Sequence, residues 1–229
     1  MKKVVPKKDI LEIVTYSFFI LSTIEIVGEF MYSDFIISLT KPLLLPLLLF
    51  LHWYGSDKVS KVYIVALLLN WCANVLFLSV VSNLIFTATI LFMLSRFFIL
   101  ITVYQKLKKL SLVPIIIGSI PFLFLFTCLI YLIFDEIQGS TFPIVFLQCF
   151  IMSMIGGFAL GNYVMKNDEA SKYLLVGSLF FALNIFALGV KYYYLDLAFL
   201  KPVAMIFFLS GHFIFLRFVV ISEREKIVT

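Results

Sequence analysis

Four side chains that hydrocarbon penalises, Lys41, Asn74, Arg96 and His212, lie inside apolar runs long enough to cross a bilayer. Polar groups in a membrane interior are costly and generally line a pocket or a water-filled cavity, so these residues are functional candidates by default. Glu25, Asn70 and Asn184 fall in runs of the same kind. Their types define the available chemistry. Lys41 and Arg96 can hold a phosphate, arginine by a planar fork and lysine as a point charge. Glu25 and His212 can exchange a proton, whereas Asn70, Asn74 and Asn184 can only hydrogen-bond and orient. Asn70 and Asn74 are four apart and share one helix face.

Other chemistries leave no pattern. His52 and His212 are the only histidines, so the H-x-x-x-H and H-E-x-x-H metal spacings are absent. Ser210 lies two residues from His212 on one helix and points elsewhere, which gives no Ser-His-Asp arrangement. No glycine-rich phosphate loop follows a strand. Cys72, Cys128 and Cys149 sit in apolar runs outside any C-x-x-C pair and read as free thiols. Neither a metal nor a nucleotide cofactor is expected.

The elements that must position these residues are transmembrane helices. The chain is 63% hydrophobic and 14% charged, with a mean hydropathy of +1.12, against roughly a quarter charged for a soluble domain. Apolar runs bounded by charge or turn clusters predict eight spans, near 11–27, 35–53, 62–81, 84–104, 112–134, 142–164, 173–190 and 199–220. The fold expected is all-α: a single polytopic integral membrane domain over residues 1–229. No cleavage site follows the first span, which reads as retained. Pro46, Pro114, Pro121 and Pro143 read as interior kinks, and the run Gly156-Gly157 to Gly161 as a small-residue helix contact.

Charge asymmetry orients the spans. With both termini cytoplasmic, the inner segments hold Lys2, Lys3, Lys7, Lys8, Lys58, Lys61, Lys106, Lys108, Lys109, Lys166, Lys172, Arg217, Arg224 and Lys226, fourteen of the eighteen basic residues. The outer connections hold Glu29, Asp34, Asp135, Glu136 and Asp196, with Lys191 and Lys201 at a border. This partition follows the positive-inside rule and requires an even number of spans. A multi-pass protein of the cell (plasma or inner) membrane is expected. Basic loops facing anionic lipid account for the net charge of +5 without a nucleic-acid partner.

Counting along the spans puts Asn74 and Arg96 each roughly 18 Å from the start of its helix, near mid-membrane, with Asn184 and His212 within about two turns of the midplane. Lys41 and Glu25 fall in the outer part. The expectation is one cavity open toward the outer half of the membrane, with Glu25 the counter-charge of Lys41 or Arg96. In the alternative, each polar group is satisfied separately, by a helix carbonyl or by snorkelling.

The order of these residues resembles the YhhN family of membrane proteins, which includes lysoplasmalogenases. Thr40-Lys41-Pro42-Leu43-Leu44-Leu45-Pro46 is similar to the family's Lys-Pro-Leu second span, and 66–78, A-L-L-L-N-W-C-A-N-V-L-F-L, to its third. Residues 92–104 stand where the family has a Ser-His pair, here Ser95-Arg96. Leu175 to Asn184 resembles Gly-x-Leu-Leu-Phe-x-x-Ser-Asp, for which Asn is also seen in place of Asp, and Phe207 to Ile214 the closing aromatic-rich stretch with Gly-His or Ala-Gln. Four positions depart from the pattern: Ala73 and Asn74 replace Gly-Asp, Arg96 replaces His, and Asn184 stands at the Asp position.

The resemblance implies hydrolysis of the vinyl ether of a lysoplasmalogen to an aldehyde and a glycerophospho head group. Protonating the alkene carbon gives an oxocarbenium ion that water captures, so the site needs a proton donor and nearby negative charge. The carboxylates of the family pattern are amides here, which leaves Glu25 and His212 as substitute acids, Asn74 and Asn184 at the family's catalytic positions, and Lys41, Arg96 and Asn70 to bind substrate. Two other functions remain open: a non-catalytic protein that binds a lysophospholipid or other amphiphile, and a small-solute transporter. Transport would call for an inverted repeat, and the shared Lys41-Pro42 and Lys201-Pro202 do not extend into one.

Overall fold

The computed structural model describes residues 6–79, 81–107, 112–137, 139 and 141–228, with side chains through Arg224. Lys2, Lys3, Lys108, Lys109 and the Lys226 side chain, all assigned to inner segments above, lie outside that description. Among the described residues the chain is all-helical: α1 (Lys7–Phe30), α2 (Asp34–Gly55), α3 (Lys61–Leu76), α4 (Ser82–Lys106), α5 (Leu112–Ile133), α6 (Thr141–Lys166), α7 (Glu169–Tyr193) and α8 (Leu200–Val228). Seven of these, all but α3, are long and apolar enough to cross a membrane. Side chains such as Ile116, Ile120, Phe124 and Tyr131 point outward, the surface a lipid bilayer solvates.

Helix starts follow from local capping. Ser33 and Ser60 accept from the backbone N–H of Ile36 and Tyr63, and Asp168 Oδ1 accepts from Ser171 N–H at 2.7 Å, each satisfying a donor that helix geometry leaves free. Tyr32 and Asn167 adopt positive φ in the tight α1–α2 and α6–α7 turns. Short links make successive helices antiparallel neighbours, and α1 packs most closely on α2, α3 on α4, α5 on α6 and α7 on α8. The Tyr32 turn therefore marks one end of the bundle and the Asn167 turn the other.

Several boundaries differ from the sequence expectation. The span expected over 62–81 ends at Leu76, because Leu78 N–H bonds Val75 O and Ser79 N–H bonds Leu76 O in tight turns that close the helix. Its 16 residues rise about 24 Å. The first and seventh segments are longer than expected, at 24 and 25 residues; α1 runs past Glu25 and Glu29, which are buried within it, and α7 continues through Lys191 to Tyr193. Pro114 and Pro143 occupy the first turns of α5 and α6, where a missing N–H costs little. They are not kinks; Pro42, Pro46 and Pro121 are the prolines interior to helices.

The small-residue run works as a contact. A Cβ on Gly161 would stand 2.8 Å from Pro114 O, and one on Gly157 2.8 Å from Ile115 O. Only glycine lets the α5 and α6 backbones approach this closely. α8 touches α1, α2, α4 and α7, which puts its buried face, with His212, at the centre of the bundle.

Candidate functional site

The buried polar residues divide into separate groups, and the central one is built on α3, α4, α7 and α8. Asn70 and Asn74, one turn apart, point the same way from α3. Asn74 Nδ2 donates to the backbone oxygen of Asn70 at 2.9 Å and to Asn70 Oδ1 at 3.1 Å. A backbone carbonyl can only accept, so the amide of Asn74 is fixed, and with it that of Asn70. Asn70 Nδ2 then donates to His212 Nε2 at 2.6 Å. A neutral imidazole that accepts at Nε2 carries its proton on Nδ1, and Nδ1 is buried with no partner among the described residues.

Arg96 is fully buried beside this chain. Ser95 Oγ donates to Ala66 O at 2.9 Å, which fixes α4 on α3 and aims the next residue inward. The Arg96 guanidinium lies 4.6 Å from the ring centre of Phe92 and 4.2 Å from that of Phe181. His212 packs edge-on against Phe181 and Phe208, with ring centres 4.8 Å and 4.6 Å away. The guanidinium and the imidazole both pack on the ring of Phe181. Nε, Nη1 and Nη2 of Arg96 all lack a hydrogen-bond partner among the described residues. Two ring faces contribute about 2 kcal/mol each when desolvated, less than the several kcal/mol that burying an uncompensated charge costs. One turn along α7 from Phe181, Asn184 Nδ2 donates to Ala204 O at 2.9 Å, leaving Oδ1 without a donor.

Glu25 and Lys41 belong to a different group, near the Tyr32 end. Lys41 Nζ lies 2.8 Å from Glu29 Oε1 and 3.5 Å from Glu25 Oε1. Lys201 Nζ lies 2.9 Å from Glu29 Oε2, and Thr40 Oγ1 donates to Glu25 Oε2. Two carboxylates thus meet two ammonium groups, tying α1 to α2 and α8. The expectation of one shared cavity is corrected accordingly, since Glu25 and Lys41 stand in a separate group; of the two counter-charge roles expected for Glu25, the pairing with Lys41 is the one seen, and among the described residues Arg96 has no hydrogen-bonded carboxylate. Glu29, expected in an outer connection, is the centre of this network.

A third group near the Asn167 end has no counterpart in the sequence reading. Lys106 Nζ lies 2.8 Å from Glu223 Oε1, with His52 and Tyr63 packed edge to face at 5.0 Å. His52 Nδ1 is 3.0 Å from Ser56 Oγ, while Ser60 N–H donates to Nε2 at 3.2 Å. Nε2 therefore accepts and Nδ1 carries the proton, so His52 cannot take a proton from Ser56 and the pair is no activated nucleophile. The i, i+4 spacing of His52 and Ser56 was the available signal, but its meaning depends on Ser60. Elsewhere, a groove lined by Glu169, Lys172, Tyr173, Val176 and Ile214 includes none of the expected site residues. Among the described residues no three His, Cys, Asp or Glu side chains gather as a metal-ligand set.

No family model, no curated protein and no solved structure matches the chain.

Proposed function

We propose that the chain is an eight-span protein of the cell membrane, similar to the YhhN proteins, that binds an anionic amphiphile at its centre without hydrolysing it. The observation that carries the reading is Arg96, a buried guanidinium whose three nitrogens have no acceptor among the described residues. A site that holds donors and a cation in place without a counter-charge is organised for an anion. Eight spans require α3 to count as one. Its Tyr63, Ala66, Leu67, Asn70 and Ala73 are buried between neighbours, and with it counted, fourteen of eighteen basic residues share the side of the termini, which is then cytoplasmic.

Catalysis is disfavoured by where the acids stand. Glu25 is held by Lys41 and Thr40, away from Arg96, and Asn74 and Asn184 cannot supply a proton near neutral pH. One observation favours hydrolysis as a second reading: His212 presents an Nδ1–H without a partner in the central group. The deciding experiment measures aldehyde release from a lysoplasmalogen by the purified chain, beside its His212→Ala and Glu25→Gln variants and an acid-containing YhhN protein as control. A flat trace together with saturable, Arg96-dependent binding of an anionic amphiphile is expected. Release that disappears in His212→Ala would replace binding with hydrolysis, and proton or solute flux in liposomes would favour transport.

A further inference from the structure

Resting on the anion-binding reading above, we infer that the ligand of the central site presents a carboxylate monoanion rather than a phospholipid head group. Arg96 is the single ion of the group formed with Asn70, Asn74, Asn184 and His212, so a monoanion leaves the site neutral. A phosphate monoester carries close to two negative charges at neutral pH and would leave one uncompensated in the bundle centre, where desolvation penalises it.

A zwitterionic phosphodiester fails differently. Its ammonium would enter beside Arg96, and the buried carboxylates Glu25, Glu29 and Glu223 are already held by Lys41, Lys201 and Lys106. The groups waiting for a partner are mostly donors: the guanidinium N–H groups and His212 Nδ1–H. Phe92 and Phe181 cover the guanidinium faces, which leaves its edge, the direction in which arginine forks onto two coplanar oxygens. A carboxylate supplies those oxygens in one plane and accepts from His212 with a remaining lone pair. Asn184 Oδ1, the acceptor of this group that lacks a donor among the described residues, suits a hydroxyl or water.

The carboxylate can arrive on a long-chain fatty acid from the bilayer or as a short acid from water, and the test separates the two. Labelled oleate and labelled butyrate are titrated onto the detergent-purified full chain and onto its Arg96→Met and Arg96→Lys variants. Lysophosphatidylethanolamine, lysophosphatidate and dodecanol serve as competitors. The expected result is saturable binding of one carboxylate per chain, weakened at least about tenfold, or about 1.4 kcal/mol, in Arg96→Met, with Arg96→Lys intermediate and dodecanol a poor competitor. Binding of oleate alone assigns the membrane source, and binding of both acids the aqueous one. If lysophosphatidate or lysophosphatidylethanolamine competes better than unlabelled oleate in an Arg96-dependent way, the carboxylate inference is overturned and the anionic-amphiphile reading stands. If no probe binds in an Arg96-dependent way to proteins that elute as folded species, both fail.

Discussion

Asn70 Nδ2 and His212 Nε2 lie 2.6 Å apart across 142 positions of sequence, and this contact sets which imidazole nitrogen bears the proton. The direction of the bond is inherited from Asn74, whose amide is pinned by a backbone carbonyl one turn away. A structural hydrogen bond on α3 thereby controls a chemical property of α8.

The Asn70→Asp variant should reverse that property. A carboxylate only accepts, so the imidazole must present Nε2–H to it, and Nδ1 becomes an acceptor. Nitrogen NMR of labelled histidine is expected to show Nδ1 protonated in the wild type and Nε2 in the variant. An Nε2–H signal from wild-type His212 would disprove the fixed-amide relay.

Replacing Arg96 should stabilise the protein while removing its ligand. The charge is buried with no hydrogen-bond partner, and exchanging such a group for an apolar one of similar length relieves on the order of 2–4 kcal/mol. Arg96→Met is expected to unfold at a higher temperature in ligand-free detergent, whereas Phe181→Ala, which opens a hole beside the guanidinium, should cost about 3–5 kcal/mol. A lower midpoint for Arg96→Met would mean that the ligand-free protein compensates the charge.

The sequence placed Lys41, Glu25, Arg96 and His212 within membrane-length helices because apolar runs and their polar interruptions are one-dimensional signals. It also placed Asn70 and Asn74 on one face, since helical periodicity alone decides that. Pairing was not legible. Whether Glu25 meets Lys41 or Arg96 depends on how α1 rotates against α2 and α8, and no local pattern encodes that rotation. Glu29 was misplaced because a charge near a span end reads as a loop residue until Lys41 and Lys201 are seen around it. The end of α3 was missed for a similar reason: Phe77 and Leu78 are as apolar as the helix before them, and only their turn hydrogen bonds mark the stop.

The two lysines on Glu29 should differ in weight. Lys41 is a tenth exposed and Lys201 about a third, at 10% and 32% of side-chain area. Removing Lys41 strands Glu25 and leaves Glu29 with one partly solvated partner, so Lys41→Met is expected to cost about 3–5 kcal/mol, as for a broken buried pair. Lys201→Met should cost about 1 kcal/mol or less, because water and Lys41 remain. Chemical denaturation of the two variants in matched detergent checks the order, and equal losses would show that Lys201 is as buried in solution as Lys41.

Glycine substitutions should rank by what the new methyl group meets. At Gly161 the nearest atoms are Pro114 O, Pro114 C and Ile115 N, all backbone, at 2.8, 2.9 and 3.0 Å. Helix α5 must move away as a whole, which makes Gly161→Ala the costly change, at about 1–3 kcal/mol for overpacking. At Gly189 the clash is with the end of Leu129, Cδ1 at 2.9 Å, and a rotamer shift there relieves most of it. At Gly55, the last residue of α2, the nearest atom is Leu11 Cδ2 at 3.5 Å, ordinary contact, so alanine should be accommodated without a clash. Thermal midpoints in the order Gly55→Ala, Gly189→Ala, Gly161→Ala, highest first, are expected. Gly161→Ala unfolding like the wild type would mean that α5 and α6 sit farther apart than these contacts place them, and the packing of α6 on α4 and α7, which helps hold Arg96 between its two rings, would need a different support.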